Sequence, residues 1–162
     1  RYISENIKAK ELIQSGKYGK LVSFTDIRNI DYFTDVRPKW FFDKKLAGGG
    51  IVMNYGAHSL DKLKWITDSE IVNISGRVSQ QLSGYEVEGA AQILVHLGNN
   101  VSGVISYCGY AVPPFNETVF YLTRGVIRLQ TGYGIWASCG GEFEQVEPDY
   151  KIDSFVRMWQ DF

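Results

Sequence analysis

Asn54, His58, Asp61 and Trp65 follow one another at steps of four, three and four. That spacing puts side chains on one face of an α-helix. Within the set, His58 is the group that exchanges protons near neutral pH, so it is the candidate acid–base residue. The Asn54 amide can hydrogen-bond but cannot titrate, and the Asp61 carboxylate can accept bonds or pair with a cation. By residue type alone, His58 is more often a structural or surface histidine than a catalytic one. The second histidine, His96, shares a strand parity with Glu86 and Glu88 and reads as a sheet-surface residue. Neither has a cysteine or another histidine at ligand spacing, so zinc finds no support. No serine or cysteine forms a nucleophile motif with either histidine.

Two glycine-rich stretches invite a cofactor reading. Gly132-Tyr133-Gly134-Ile135-Trp136-Ala137 has the letters of a dinucleotide fingerprint and follows a strand-like segment at 126–130. It runs into Ser138-Cys139-Gly140-Gly141 rather than into a helix whose amides could hold a pyrophosphate, so it is rejected. Gly48-Gly49-Gly50 lacks the lysine and hydroxyl residue that close a phosphate loop. It permits a close approach of the backbone to something, or a sharp turn into the helix that follows.

The elements that would position these residues can be read from their periodicity. Residues 4–15 predict a helix with Ser4 as N-cap and Gly16 after the last turn. A strand follows at 21–27 with imperfect alternation. From 29 to 47 no period survives, and aromatic residues mix with charged ones; the stretch is either a functional loop or an aromatic cover over the core. The helix bearing His58 is predicted over 51–66, with Val52, Tyr55, Leu63 and Ile66 beside Gly56 and Ser59 as its packing face. Alternation then predicts strands near 72–78, 85–97, 101–110, 117–123, 126–130, 134–137 and 142–146, with a final helix from about Asp153. The class is α+β, an open and mostly antiparallel sheet with helices packed on one face. The other face, with Glu86, Glu88, Gln92 and His96 opposite Ser102, Val104, Ser106, Cys108 and Tyr110, is semi-apolar. It is expected to be a homo-oligomeric contact.

Bulk composition narrows the function classes. The 162 residues fit one domain able to bury a core without disulfides or metal. Seventeen basic residues balance eighteen acidic ones, so there is no basic footprint for nucleic acid or an anionic membrane. No apolar run approaches the roughly 18 residues of a membrane span. Two isolated cysteines suit a reducing, cytoplasmic compartment. Asn116-Glu117-Thr118 matches a glycosylation pattern that occurs often by chance. Because the chain opens at Arg1 without Met and stops within a helical pattern, both ends are expected to be cuts in a longer protein.

The segment from Gly48 through Asn54, Gly56, His58 and Asp61 resembles the central motif of the glucose–fructose oxidoreductase and inositol dehydrogenase family. There, three glycines open a helix bearing an aspartate or asparagine, a glycine, a histidine and an aspartate. Ser15-Gly16-Lys17-Tyr18-Gly19 and Trp40-Phe41 fit its surroundings. The resemblance implies that residues 1–162 form the C-terminal, substrate-side and oligomerisation domain of an oxidoreductase. A separate N-terminal Rossmann domain would hold NAD or NADP, with none bound by this part. It implies a sugar, sugar derivative or cyclitol substrate, His58 as catalytic histidine, and Asn54 and Asp61 as orienting residues. Arg37 and Trp40 would help cover the substrate. Asn54 stands where an aspartate is common, which departs from an inositol-dehydrogenase-like relay. A non-catalytic dimerisation or ligand-sensing module of the same fold is the alternative.

Overall fold

The computed structural model describes residues 1–110 and 113–148, together with 156, 158 and 159. Helix α1 (Ser4–Gln14) leads into strand β1 (Leu21–Asn29). A 3₁₀ turn (Lys39–Phe42), a short α2 (Lys44–Ala47) and the long α3 (Ile51–Thr67) follow. The rest is strand: β2 (Ile71–Ser79), β3 (Ala90–Leu97), β4 (Ser102–Cys108), β5 (Phe115–Leu122), β6 (Gly125–Gln130), β7 (Gly134–Ser138) and β8 (Glu144–Val146). All eight strands form one sheet in the order β2-β3-β4-β1-β5-β6-β7-β8. Every neighbouring pair is antiparallel except β1 with β4. α1 packs on α3, β6 and β7, and α3 packs on β3 and β4, so one face carries the helices. The α+β class and the mostly antiparallel open sheet stand as expected.

Local chemistry explains the boundaries. β1 alternates poorly because its register with β5 shifts between Leu21 and Ser23; a bulge inserts a residue and breaks the two-residue period. Ser4 is the first helical residue rather than the N-cap, and its hydroxyl donates to Glu5. Inside the long loop, the Asp43 carboxylate caps α2 through the amides of Lys45 and Leu46, at 2.8 and 3.3 Å. α3 buries Gly56, Ser59, Leu63 and Ile66 as its pattern requires, and ends at Asp68 in the left-handed conformation (φ 51°). The final helix from Asp153 lies outside the described residues; Val156, Met158 and Trp159 are helical.

The segment 85–97 corrects the sequence reading most. β3 begins only at Ala90, and Glu88 turns inward instead of pointing away from the core. Its carbonyl accepts the Ile51 amide at 3.0 Å, and its carboxylate accepts the Val52 amide at 3.1 Å. Glu88 therefore caps α3 from the segment just before β3 and places a negative charge at the helix's positive end. The glycine triplet makes this possible. A Cβ on Gly50 would fall 2.1 Å from the Glu88 carbonyl oxygen, and Gly48 turns with φ +78°. On the face opposite α1 and α3, Gln92 and His96 bond across the ladder to Ser106 and Ser102, each at 2.7 Å. Leu94, Val104 and Tyr121 are exposed. Among the described residues, no helix is long and apolar enough to cross a membrane.

Candidate active site

Three alternate residues of β1 set the base of the site. Phe24 and Asp26 are both 1% exposed, and Arg28 is partly buried at the same strand's far end. Opposite Asp26 in the register lies the fully buried Thr118 of β5, and opposite Arg28 lies Asn116. From α3, Lys62 reaches down to the sheet. Its Nζ donates to Asp26 Oδ1 at 2.6 Å and to Thr118 Oγ1 at 2.7 Å, and the threonine hydroxyl donates to the same carboxylate oxygen at 2.6 Å. Ser59, buried on the same helix, faces this carboxylate. Burial alone would push the Asp26 carboxyl up, but the Lys62 ammonium and these bonds prevail and hold it below the ordinary carboxylate range. Tyr107, opposite Arg28 on β4, is also covered, and burial pushes its phenol up to about 12.

This anchor sits beneath an open cleft of about 340 Å³. His58 is exposed on its wall, one position before Ser59 and four before Lys62. Tyr55, one turn earlier, lines the same wall and lies against the Arg28 guanidinium, 4.4 Å from the ring centroid. Asp61 also borders the cleft and forms an ion pair with Arg1. Arg1's hydrogen bonds are the main reason the Asp61 carboxyl lies below its usual range. A second cleft of about 290 Å³ shares Arg28, Tyr55, Asn116 and Thr131 with the first, so the two adjoin at these residues.

His58 and Asp61 thus share one cleft, whereas the other candidates lie apart from it. Asn54 lies toward Tyr32, a buried residue whose phenol is raised chiefly by burial. Arg37 stacks its guanidinium 4.3 Å from the Tyr32 centroid and 5.0 Å from that of Phe41. Trp40, half exposed, lies 4.1 Å from Phe41, centroid to centroid. Arg37 borders a different crevice, about 550 Å³, together with Phe42, Tyr85 and Glu86. That crevice is larger than the histidine cleft but holds neither His58 nor Asp61. Behind it, Tyr32, Phe33, Phe42, Tyr85 and Tyr110 form a ring cluster.

Neither glycine-rich stretch presents free helix amides to a pyrophosphate. Gly132 and Tyr133 occupy the turn between β6 and β7, and Gly134 opens a strand, not a helix. The one long helix entered through glycines already has its first amides taken by Glu88. Among the described residues, no group of three or more His, Cys, Asp or Glu could hold a metal.

Residues 6–128 match the family model described as the GFO/IDH/MocA C-terminal domain. The chain belongs to that family. A curated relative, 1-carboxy-3-chloro-3,4-dihydroxycyclohexa-1,5-diene dehydrogenase of Comamonas testosteroni, is 31% identical over 104 residues, 64% of this chain and 26% of its own length. Among solved structures, aldose-aldose oxidoreductase from Caulobacter crescentus superposes with TM-score 0.84 at 21% identity, over 99% of this chain and 49% of that one. Levoglucosan dehydrogenase, in complex with NADH and L-sorbose, superposes with TM-score 0.80 at 15% identity, over 98% and 52%. The chain therefore spans about a quarter of the curated relative and about half of each solved relative.

The sequence reading missed Asp26, Lys62 and Thr118. A carboxylate at the same strand parity as Phe24, and a lysine four residues beyond His58, were the available signals. Glu88 gave none, because its function as a cap depends on a contact 36 residues away in the chain.

Proposed function

We propose that this chain is the substrate-side domain of an NAD(P)-dependent oxidoreductase acting on a sugar, sugar derivative or cyclitol. The observation that carries the reading is His58 on the wall of a polar cleft, on a helix pinned to the sheet by the Lys62–Asp26 pair. The domain assignment draws on the family match and on the share of its relatives that the chain spans. The nicotinamide, held outside this chain, would supply or accept the hydride at the carbon bearing the reacting hydroxyl. His58 would hold or move that hydroxyl's proton as the carbonyl forms or is reduced. Asn54, which lies toward Tyr32 and outside the cleft lining, would fix the first turns of α3 rather than touch substrate. Free cysteines at 108 and 139 suit a reducing, cytoplasmic setting.

The test is a pH–rate profile of the full-length protein and its His58→Ala variant. We expect kcat to fall by roughly 10²-fold or more, with loss of one limb of the profile. Asn54→Ala should cost less. A folded His58→Ala enzyme with nearly full activity across the pH range would return His58 to a surface role. The sheet face opposite α1 and α3, with Leu94, Val104 and Tyr121 exposed, is the proposed contact between copies of the full-length protein. Its test is sedimentation of wild type against Val104→Glu. A wild type that stays monomeric at high concentration would eliminate the contact.

A further inference from the structure

The cations around the histidine cleft are not equally satisfied. Lys62 is paired with Asp26, and Arg1 with Asp61. Arg28 has no ion pair and no side-chain hydrogen bond to another described residue; the Tyr55 ring lies against its guanidinium, and Tyr107 is its neighbour across the ladder. It is partly buried, with one flank on the sheet and the other on α3, and it borders both clefts. An arginine stacked on a ring keeps its N–H edge free in the plane of the guanidinium. That edge matches the two oxygens of a carboxylate. Asn116, paired with Arg28 in the register and lining both clefts, adds an amide beside it.

We infer that Arg28 recognises a carboxylate on the substrate, so that the molecule taken into this cleft is an acid bearing hydroxyls rather than a neutral polyol. The inference rests on the reading of this cleft as the substrate site and narrows its ligand class. A phosphate is the poorer fit. It carries up to two charges and commonly draws on several donors, while Arg1 and Lys62, the cleft's other permanently charged cations, are already neutralised. His58 and Arg28 line the same cleft, so one ligand can reach both, with the carboxylate held at one end and a hydroxyl presented at the other.

Calorimetry on the full-length protein separates this from the catalytic reading, because it needs no turnover. The probes are glucuronate against glucose, galacturonate against galactose, gluconate against sorbitol, and glucose 6-phosphate. At least one acid should bind about tenfold more tightly than its alcohol, as a charge-assisted fork contact allows. Arg28→Gln should bring that ratio close to one, and Arg28→Lys should leave it in between, because the charge remains but the fork is lost. Equal affinities, no saturable binding of any acid, or an undiminished preference in folded Arg28→Gln would each overturn the inference. Tighter binding of glucose 6-phosphate than of every acid would overturn the carboxylate assignment. If the preference holds while His58→Ala stays active, only the acid–base reading falls. If His58→Ala is inactive while acids and alcohols bind alike, only the present inference falls.

Discussion

Two ion pairs anchor adjacent residues of α3, and they differ in almost everything but charge. Lys62 meets Asp26 with side chains 11% and 2% exposed, inside a network with Thr118. Asp61 meets Arg1 with side chains 46% and 41% exposed, at the cleft rim. Water screens the second pair and can replace either partner, so its contribution to stability is small. The first pair has no such substitute: removing one partner leaves a buried charge with nothing to balance it. Neighbours in sequence therefore serve different ends. Lys62 fixes the helix to the sheet, and Asp61 shapes the charge of the opening.

The sharpest break of this comparison is Lys62→Met against Asp61→Asn, followed by urea denaturation of the chain near pH 7. Lys62→Met should lose about 3–5 kcal/mol, the cost typical of orphaning a buried charge. A loss under about 1 kcal/mol would mean that water or another donor reaches Asp26, and the contrast would vanish.

Acid should produce the next largest effect. Asp26 is depressed in the folded protein, so near its unfolded value of about 3.9 the unfolded chain binds more protons than the folded one. Its stabilisation is complete above that value and is lost as pH falls through the lower folded value. In Lys62→Met the sign reverses, because burial without the ammonium raises the carboxyl. The gap between wild type and variant should then narrow steadily from pH 7 to pH 3. A constant gap would show that the pair does not control the ionisation of Asp26. The smallest effect belongs to Asp61→Asn, at about 1 kcal/mol or less; a larger loss would mean the exposed pair also holds α3 in place.

Periodicity carried much of the fold. The packing face of α3, the turn at Gly98-Asn99-Asn100 and the strands from β4 to β8 follow local rules: helical spacing, glycine and asparagine in turns, and alternation along strands. Where the reading faltered, a local rule met a distant constraint. The stretch 85–89 alternates like a strand, yet Glu88 is needed at the start of α3, and that bond outweighs continued pairing. Val72, Ile74 and Val78 alternate cleanly too, but β2 is an edge strand that the helices leave largely uncovered, and all three are exposed.

The site divides along the same line. Helical spacing alone was enough to put His58 and Asp61 on neighbouring positions of one helix, and both border the cleft. Asn54 and Trp65 share that spacing but not the cleft. At 100° per residue the steps drift around the axis, and what each side chain meets depends on the neighbouring element: Tyr32 for Asn54, Tyr2 and Lys10 for Trp65. Asp26, Arg28 and Thr118 lie on strands far from the helix in sequence. Their roles arise only when β1 is inserted between β4 and β5 and α3 is laid across the sheet. Local sequence sets which face a residue occupies, because backbone geometry repeats every 3.6 or 2 residues. Burial and charge partners are set by chain segments brought together from 36 to 92 positions apart, and no local period encodes them.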